Sequence, residues 1–539
     1  MEDSMHYAKS EDHVRQTAQP SMTPTVILPP TKVTSPDTSP RAAASATSRE
    51  LSRTKVAIRT LFNALDAANV RYCHWKSNIR IEDTLAGVED IDLLVHRGDA
   101  GLFQEVLHTT GFKLVRSYSG ISHPGVFNAV ALDDATTELV HLHAHYQIVG
   151  GDSLVKNYRF PLEDLLLQQI RIIHGVKTPT AEADLLLFLL RVALKHTSLV
   201  EIWKVNLHYS KLSAELTWLL EAADVRKMHR LLEQRLPMIE AALVQELLRA
   251  TADPSAILWR IKLGWHVAWR LRELRRLGSA KAFLSRQWRL LRYVIARFQQ
   301  RREFVPVAGG LIVALVGPKA SGKSTIGSQL RARLGRHLVV TRIHAGKPPA
   351  TALSAIPRIF VPIARKLMPY ERLGEYEKPE RRHVKTYSLF YVVRMFLLAR
   401  DRRALLFRAM RQATAGEIVV ADRYPSDTIG AIDSSCFDDE ALSRCRSMFK
   451  RWLMRREREC YRGLPKPTLV LRLVTTVDVA VRRDAHRVKQ GGPNADAVLR
   501  RWDLETCAEF PGVPMIHIDT AKSLEETSRA ATQAVWNAI

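Results

Sequence analysis

At 539 residues with 46% hydrophobic content, the chain is too long for one ordinary domain and rich enough in apolar residues for two or three cores. Lysine and arginine exceed aspartate and glutamate by 25, so the surface attracts phosphates, nucleic acid or an anionic bilayer rather than repelling them. The five cysteines, at 73, 436, 445, 460 and 507, are odd in number, scattered and without CxxC spacing, which argues against a disulfide framework or a zinc knuckle and fits a reducing cytoplasm.

Ser, Thr and Pro supply 20 of the first 50 residues. Such a stretch buries too little apolar surface to offset its ordering entropy, so residues 1–50 read as a disordered tail. The opening MEDSMHYAKSEDH has acids where a secretory signal has a basic segment and an apolar run. The longest apolar stretches, such as LLLFLLRVALK, are broken by Arg191 well short of the roughly 18 to 20 residues of a spanning helix. A cytoplasmic protein is expected, either soluble or peripheral at the inner face of the membrane.

From 51 to 158 the pattern predicts a small α/β domain: a helix over LSRTKVAIRTLFNALDAA, strands VRYCHW and IDLLV, a helix near 100–110, then strands VFNAVAL and ELVHLHAHYQIV. Asp90 and Asp92 fall on one side of a strand, where two carboxylates can share metal ions. With the preceding His74-Trp75-Lys76-Ser77-Asn78, this resembles the nucleotidyltransferase fold, whose third carboxylate lies on a later strand. Here His141 takes that position, and an imidazole is a poor Mg²⁺ ligand. His141, His143 and His145 lie at i, i+2 and i+4, so that two neighbours could share a transition metal, or one or two of them be half-buried strand histidines with backbone partners.

Residues 159–303 read as a helical, basic connector without strands, including DLLLQQIRIIHG, ADLLLFLLRVALKH and AELTWLLEAAD. Its last part, 259–302, carries thirteen Lys or Arg, one acid and four tryptophans. A basic amphipathic helix with aromatic anchors fits an anionic membrane surface. Nucleic-acid binding is a weaker alternative, and packing of the Trp and Leu face onto the flanking domains weighs equally with the membrane.

From 305 to 539, strands LIVALVG, LVVT, EIVVAD, TLVLRL and MIHID alternate with helical stretches, the rhythm of a parallel sheet with crossover helices. Gly317-Pro318-Lys319-Ala320-Ser321-Gly322-Lys323-Ser324-Thr325 satisfies G-x-x-x-x-G-K-[ST] between a strand and a helix, the P-loop (Walker A) context. There the backbone amides would cradle the phosphates of ATP, Lys323 would neutralise them and Ser324 would ligate Mg²⁺. A buried strand ends in Asp422-Arg423-Tyr424, facing the crevice of such a sheet. Asp422 would hold Mg²⁺ and Arg423 an acceptor phosphate.

GPKASGKST, FLLARDR at 396–402, VVADRYPSD at 419–427, LVLRLVTTVDVAVRR and MIHIDT together resemble the thymidylate kinase family, over about two fifths of the chain. The resemblance implies an ATP- and Mg²⁺-dependent kinase, with Arg402 and Arg423 on the acceptor phosphate and Asp422 beside metal and acceptor. It further implies that Arg483 and Arg487 belong to a lid over the transferred group. Three departures stand out: Lys319 replaces the family's loop aspartate, Asp427 replaces a serine, and His344 and Lys347 replace an acidic turn. A phosphorylated small-molecule acceptor other than thymidylate is therefore expected. The rivals are nucleotidyl transfer through Asp90 and Asp92 and a nucleotide-dependent regulatory module at a membrane.

Overall fold

The computed structural model describes residues 54–298, 304–352, 354–355, 387–431, 433–485, 502 and 508–539. The tail expected over residues 1–50, Arg487 and Cys507 lie outside them.

The fold is mixed α/β. The first lobe has strands β1 (Tyr72–His74), β2 (Ile91–Val95), β3 (Lys113–Ser117), β4 (Val126–Leu132) and β5 (Leu139–His145), then two short hairpins, β6 (Ile148–Gly150) with β7 (Tyr158–Phe160) and β8 (Ile170–Ile173) with β9 (Val176–Pro179). Its main sheet runs β1-β2-β5-β4-β3 and takes a sixth strand, β10 (Phe304–Pro306), from beyond the helical region. Only the β2–β5 pairing is parallel; its register sets Asp92 beside His143. Helices Val56–Ala67 and Ala100–Thr109 contribute Ile58, Leu61, Leu65 and Phe103, all fully buried, to its core.

The second sheet is wholly parallel, in the order β12 (Val340–His344), β13 (Ile418–Asp422), β11 (Leu311–Val316), β14 (Leu469–Val474) and β15 (Met515–Asp519). The central β11 is buried along its whole length, as expected of a strand covered on both faces. Helices Lys323–Leu334 and Leu524–Ala538 share one core cluster with β11, and helix Leu389–Thr414 packs through Leu406, Ala409 and Ala413 in another. The two sheets share apolar core: Val115, Val130, Leu132 and Leu139 of the first join Leu311, Leu315, Leu330 and Trp536. Burying each such side chain stabilises the joint by roughly 1.5–3 kcal/mol. Lys113 Nζ adds a bond to Trp536 O at 2.6 Å.

Two expectations are corrected. DLLLQQIRIIHG is not one helix: helix Glu163–Gln168 gives way to β8, which turns back into β9 through His174 and Gly175. Both turn residues have positive φ, 46° and 78°, the twist that matches a two-residue hairpin. The strand β3, KLVRS, went unread because its short, half-exposed pattern gives no clear period. Among its described residues the basic segment forms two α-helices, Ile257–Arg270 and Ser279–Phe298, joined through a short 3-10 turn at Arg272–Leu274. The first crosses the buried helix Ala181–Lys195 at Gly264, where any Cβ would lie 2.5 Å from Ala193 O. Among the described residues no helix is long and apolar enough to cross a membrane.

Candidate functional site

The turn after β11 is shaped by its glycines. Gly317 sits at φ 142° with Leu473 O only 2.5 Å from where a Cβ would be, and Gly322, at φ 92°, starts helix Lys323–Leu334. Ala320 accepts φ 67° as well. Lys323, almost fully buried, folds its ammonium back onto the loop, donating to Gly317 O at 2.6 Å and Pro318 O at 2.9 Å. Ser321 Oγ is buried without a hydrogen-bond partner among the described residues, and Ser324 and Thr325 are exposed on the first helical turn. Amides of a helix N-terminus with a lysine beside them make a ready oxyanion site.

Parallel register carries the second part of the site to the first. β13 runs beside β11, and its last residue, Asp422, accepts a 2.6 Å hydrogen bond from Ser324 Oγ. Hydroxyl and carboxylate are thus placed as a pair of oxygen ligands that a divalent cation could share. Arg423 takes φ 69°, and its amide donates to Leu315 O at 3.1 Å. On the far side of β13, His344 pairs in register with Asp422; its Nδ1 is buried with no hydrogen-bond partner among the described residues, and burial lowers its pKa.

Arg402 and Arg423 converge on a residue that sequence reasoning missed. Asp433 receives Arg402 Nη2 at 2.8 Å and Arg423 Nη1 at 3.2 Å. Arg402 is nearly inaccessible and is further fixed by Ala345 O at 2.8 Å and by the Tyr461 hydroxyl. The neighbouring Asp401 accepts from the Thr351 amide at 3.0 Å, from Thr351 Oγ1 at 2.6 Å and from Ser354 Oγ at 2.8 Å, tethering the loop after β12. Gly346 is needed where this network closes, because a Cβ there would fall 2.7 Å from Arg423 Cδ. No local pattern marks Asp433 or Asp401, since each is defined by partners far away in the chain.

Lys319 is not an unpaired added charge. Its ammonium meets Asp484 Oδ2 at 2.8 Å, on helix Val477–Ala485. Arg483, on the same helix, donates to Thr520 O at 2.5 Å and Thr520 Oγ1 at 3.3 Å, so it is engaged with the end of β15.

In the first lobe each carboxylate has its own partner. Asp90 Oδ1 lies 2.9 Å from His141 Nδ1, and Asp92 Oδ1 lies 2.6 Å from Lys76 Nζ and 3.0 Å from His143 Nδ1. Burial alone would raise the Asp92 pKa, yet Lys76 and His143 hold it well below the usual carboxylate range. Burial lowers His143 to about 4, and it brings Lys156, with Lys76 nearby, to about 7. His145 is fully buried with both ring nitrogens unpartnered, its ring edge-on to Trp75. One ligand atom each from Asp92, His143 and His145 lies within 4.8 Å of the others, close enough to gather round an ion after adjustment. The Lys76 ammonium already against Asp92 opposes a cation there. His141, outside this trio, is stacked on Phe304 at 4.8 Å, on His337 at 5.6 Å and on His143 at 6.4 Å.

No family model matches the chain. Over 233 residues, 42% of this chain and 86% of the relative, it is 26% identical to the "uncharacterized ATP-binding protein YghR" of Escherichia coli strain K12. The same figures hold for the protein of that name in Escherichia coli O6:H1 strain CFT073.

Proposed function

We propose that the chain binds ATP at the Gly317–Thr325 turn and transfers its terminal phosphoryl group to a phosphorylated small molecule, in the manner of a thymidylate-kinase-like P-loop kinase. The observation that carries this reading is the 2.6 Å approach of Ser324 Oγ to Asp422 Oδ2 across two parallel strands, beside the buried Lys323. A relative named for ATP binding supports the nucleotide half of it. The acceptor half rests on Arg402 and Arg423, two guanidinium groups fixed on one carboxylate at the crevice end of the sheet.

In this reading the loop amides and Lys323 hold the phosphates, moving Lys323 from its carbonyl acceptors to the oxyanion. Ser324 and Asp422 are the residues that would hold Mg²⁺, which when bound neutralises charge between the outer phosphates. Arg423 orients the acceptor phosphate, one of whose oxygens attacks the terminal phosphorus. The bond to the bridging oxygen breaks, and ADP leaves with that electron pair. An already ionised phosphate oxygen needs no general base, so positioning and charge neutralisation supply the catalysis. Lys319 in place of an acidic residue argues against thymidylate, because an ammonium cannot accept a hydrogen bond from a sugar hydroxyl.

Nucleotidyl transfer through Asp90 and Asp92 has less support, since each carboxylate is already matched by a lysine or histidine. The deciding experiment is transfer from terminally labelled ATP to a panel of nucleotides, sugar phosphates and lipid phosphates, with wild type, Lys323→Ala and Asp92→Asn. Labelled product lost in Lys323→Ala and kept in Asp92→Asn is expected. ATP binding without any labelled acceptor would favour a regulatory module, and the opposite mutant pattern would move the chemistry to the first lobe.

A further inference from the structure

Helix Ser279–Phe298 is mounted inside out. Among its twenty residues only Ala296 is buried, and its outward stripe is Leu284, Trp288, Leu291, Ile295 and Phe298, between 46% and 86% exposed. The spacing of four, three, four and three residues makes this one continuous apolar face. Two of its arginines point the other way: Arg286 donates to Ser198 Oγ at 2.7 Å and lies 3.4 Å from Asp152, and Arg289 donates to Leu154 O at 2.7 Å. A helix that packs two arginines on the protein and turns its apolar face to water is stable in isolation only at a cost, because the usual burial gain is forgone.

The exposure continues on the neighbouring helices. Ser198 directly precedes helix Leu199–Leu207, which exposes Leu199, Trp203 and Leu207 at 60% or more. That helix is bonded in turn to helix Ile257–Arg270 through Arg260 Nη2 and Asn206 Oδ1 at 3.0 Å, and the latter exposes Leu258, Trp265 and Trp269. Arg260 itself is fully buried, so this basic residue is a core strut and not a surface charge.

Charge decides what covers these faces. Beside the apolar faces, Lys281, Arg292 and Arg297 of helix Ser279–Phe298 and Lys262 of helix Ile257–Arg270 are exposed, and neither helix carries an acid. A second copy docked on the same stripe would oppose these cations with identical ones, at a cost that screening reduces without removing. An anionic bilayer would meet them with opposite charge, and tryptophan suits the headgroup boundary, where an apolar ring and a polar N–H are both satisfied.

We propose that the outward faces of these helices, centred on Leu284, Trp288 and Leu291, seat the protein on an anionic lipid surface as a peripheral contact. The proposal is independent of the reaction at the phosphate turn.

The test is co-sedimentation of the full chain with vesicles of phosphatidylcholine alone or mixed with phosphatidylglycerol, alongside light scattering for oligomeric state. Wild type is expected to sediment with the mixed vesicles only, less so at high salt, with tryptophan emission quenched by brominated acyl chains. The double variant Leu284→Glu, Trp288→Glu is expected to lose sedimentation and to keep its circular dichroism and ATP binding, because both side chains are exposed. Gln287→Glu, also exposed on this helix, controls for the added charge and should retain most of the binding. Failure of wild type to sediment, or sedimentation unchanged in the double variant, would overturn the proposal. So would a dimer that the double variant dissolves, or single-stranded RNA binding in the absence of vesicle binding.

Discussion

The Arg402 guanidinium, 2% exposed, meets the Asp433 carboxylate at 2.8 Å, although the two lie on separate elements and Asp433 belongs to no regular structure. Asp433 also holds Arg423, so one carboxylate sets the position of both cations. Removing it leaves a buried charge uncompensated. Asp433→Asn, which still tolerates the φ of 66° at this position, is expected to lower stability by about 3 kcal/mol in urea unfolding. A change under about 1 kcal/mol would mean that Tyr461 and Ala345 suffice to hold Arg402.

Asp422→Asn keeps the shape of the side chain and can still bond Ser324, but it removes the negative charge. ATP binding in the presence of Mg²⁺ is expected to weaken about 10- to 100-fold, with little change when the cation is chelated. Titration calorimetry with and without Mg²⁺ reads the difference, and equal weakening in both conditions would deny Asp422 a metal-linked role.

Lys319 and Asp484 join the Gly317–Thr325 turn to helix Val477–Ala485. In a double-mutant cycle, Lys319→Asp and Asp484→Lys should each destabilise, and the charge-swapped double should recover about 1 kcal/mol. Urea midpoints give the coupling. Strict additivity would show that the contact contributes nothing.

Glu457 is fully buried, and burial raises its pKa to about 7 despite hydrogen bonds from Cys436 N at 3.0 Å and Ser435 Oγ at 2.8 Å. Unfolded, the carboxyl ionises near its ordinary value, so between that value and pH 7 the folded chain binds the extra proton. Stability contributed by this group therefore falls as pH rises through that window and levels off above it. Glu457→Gln should flatten the slope and be more stable than wild type at pH 8, by at most about 3 kcal/mol. Denaturation at pH 5 and pH 8 measures both; a wild type indifferent to the substitution at both values contradicts the raised pKa.

Much of the fold was legible from local pattern. IDLLV, VFNAVAL, EIVVAD, TLVLRL and MIHID all lie on strands, because runs rich in branched aliphatic residues favour a pleated, buried surface. The hairpin at His174-Gly175 was hidden because Leu and Ile runs around it also fit a helical period, and only the turn geometry breaks it.

The sequence by itself determined the glycine-bearing turn ahead of Lys323, since Gly317 and Gly322 admit backbone angles and close approach that other residues resist. It also determined that the segment after Trp259 is amphipathic, basic and rich in tryptophan. Only the tertiary structure decided which cations have partners and which face of a helix meets water. Lys319 finds Asp484, Arg402 finds Asp433, and Arg286 turns inward while Trp288 turns out. Periodicity gives the angle between the faces of a helix. It carries no information about which face the rest of the chain will cover, because that depends on contacts between residues far apart in sequence.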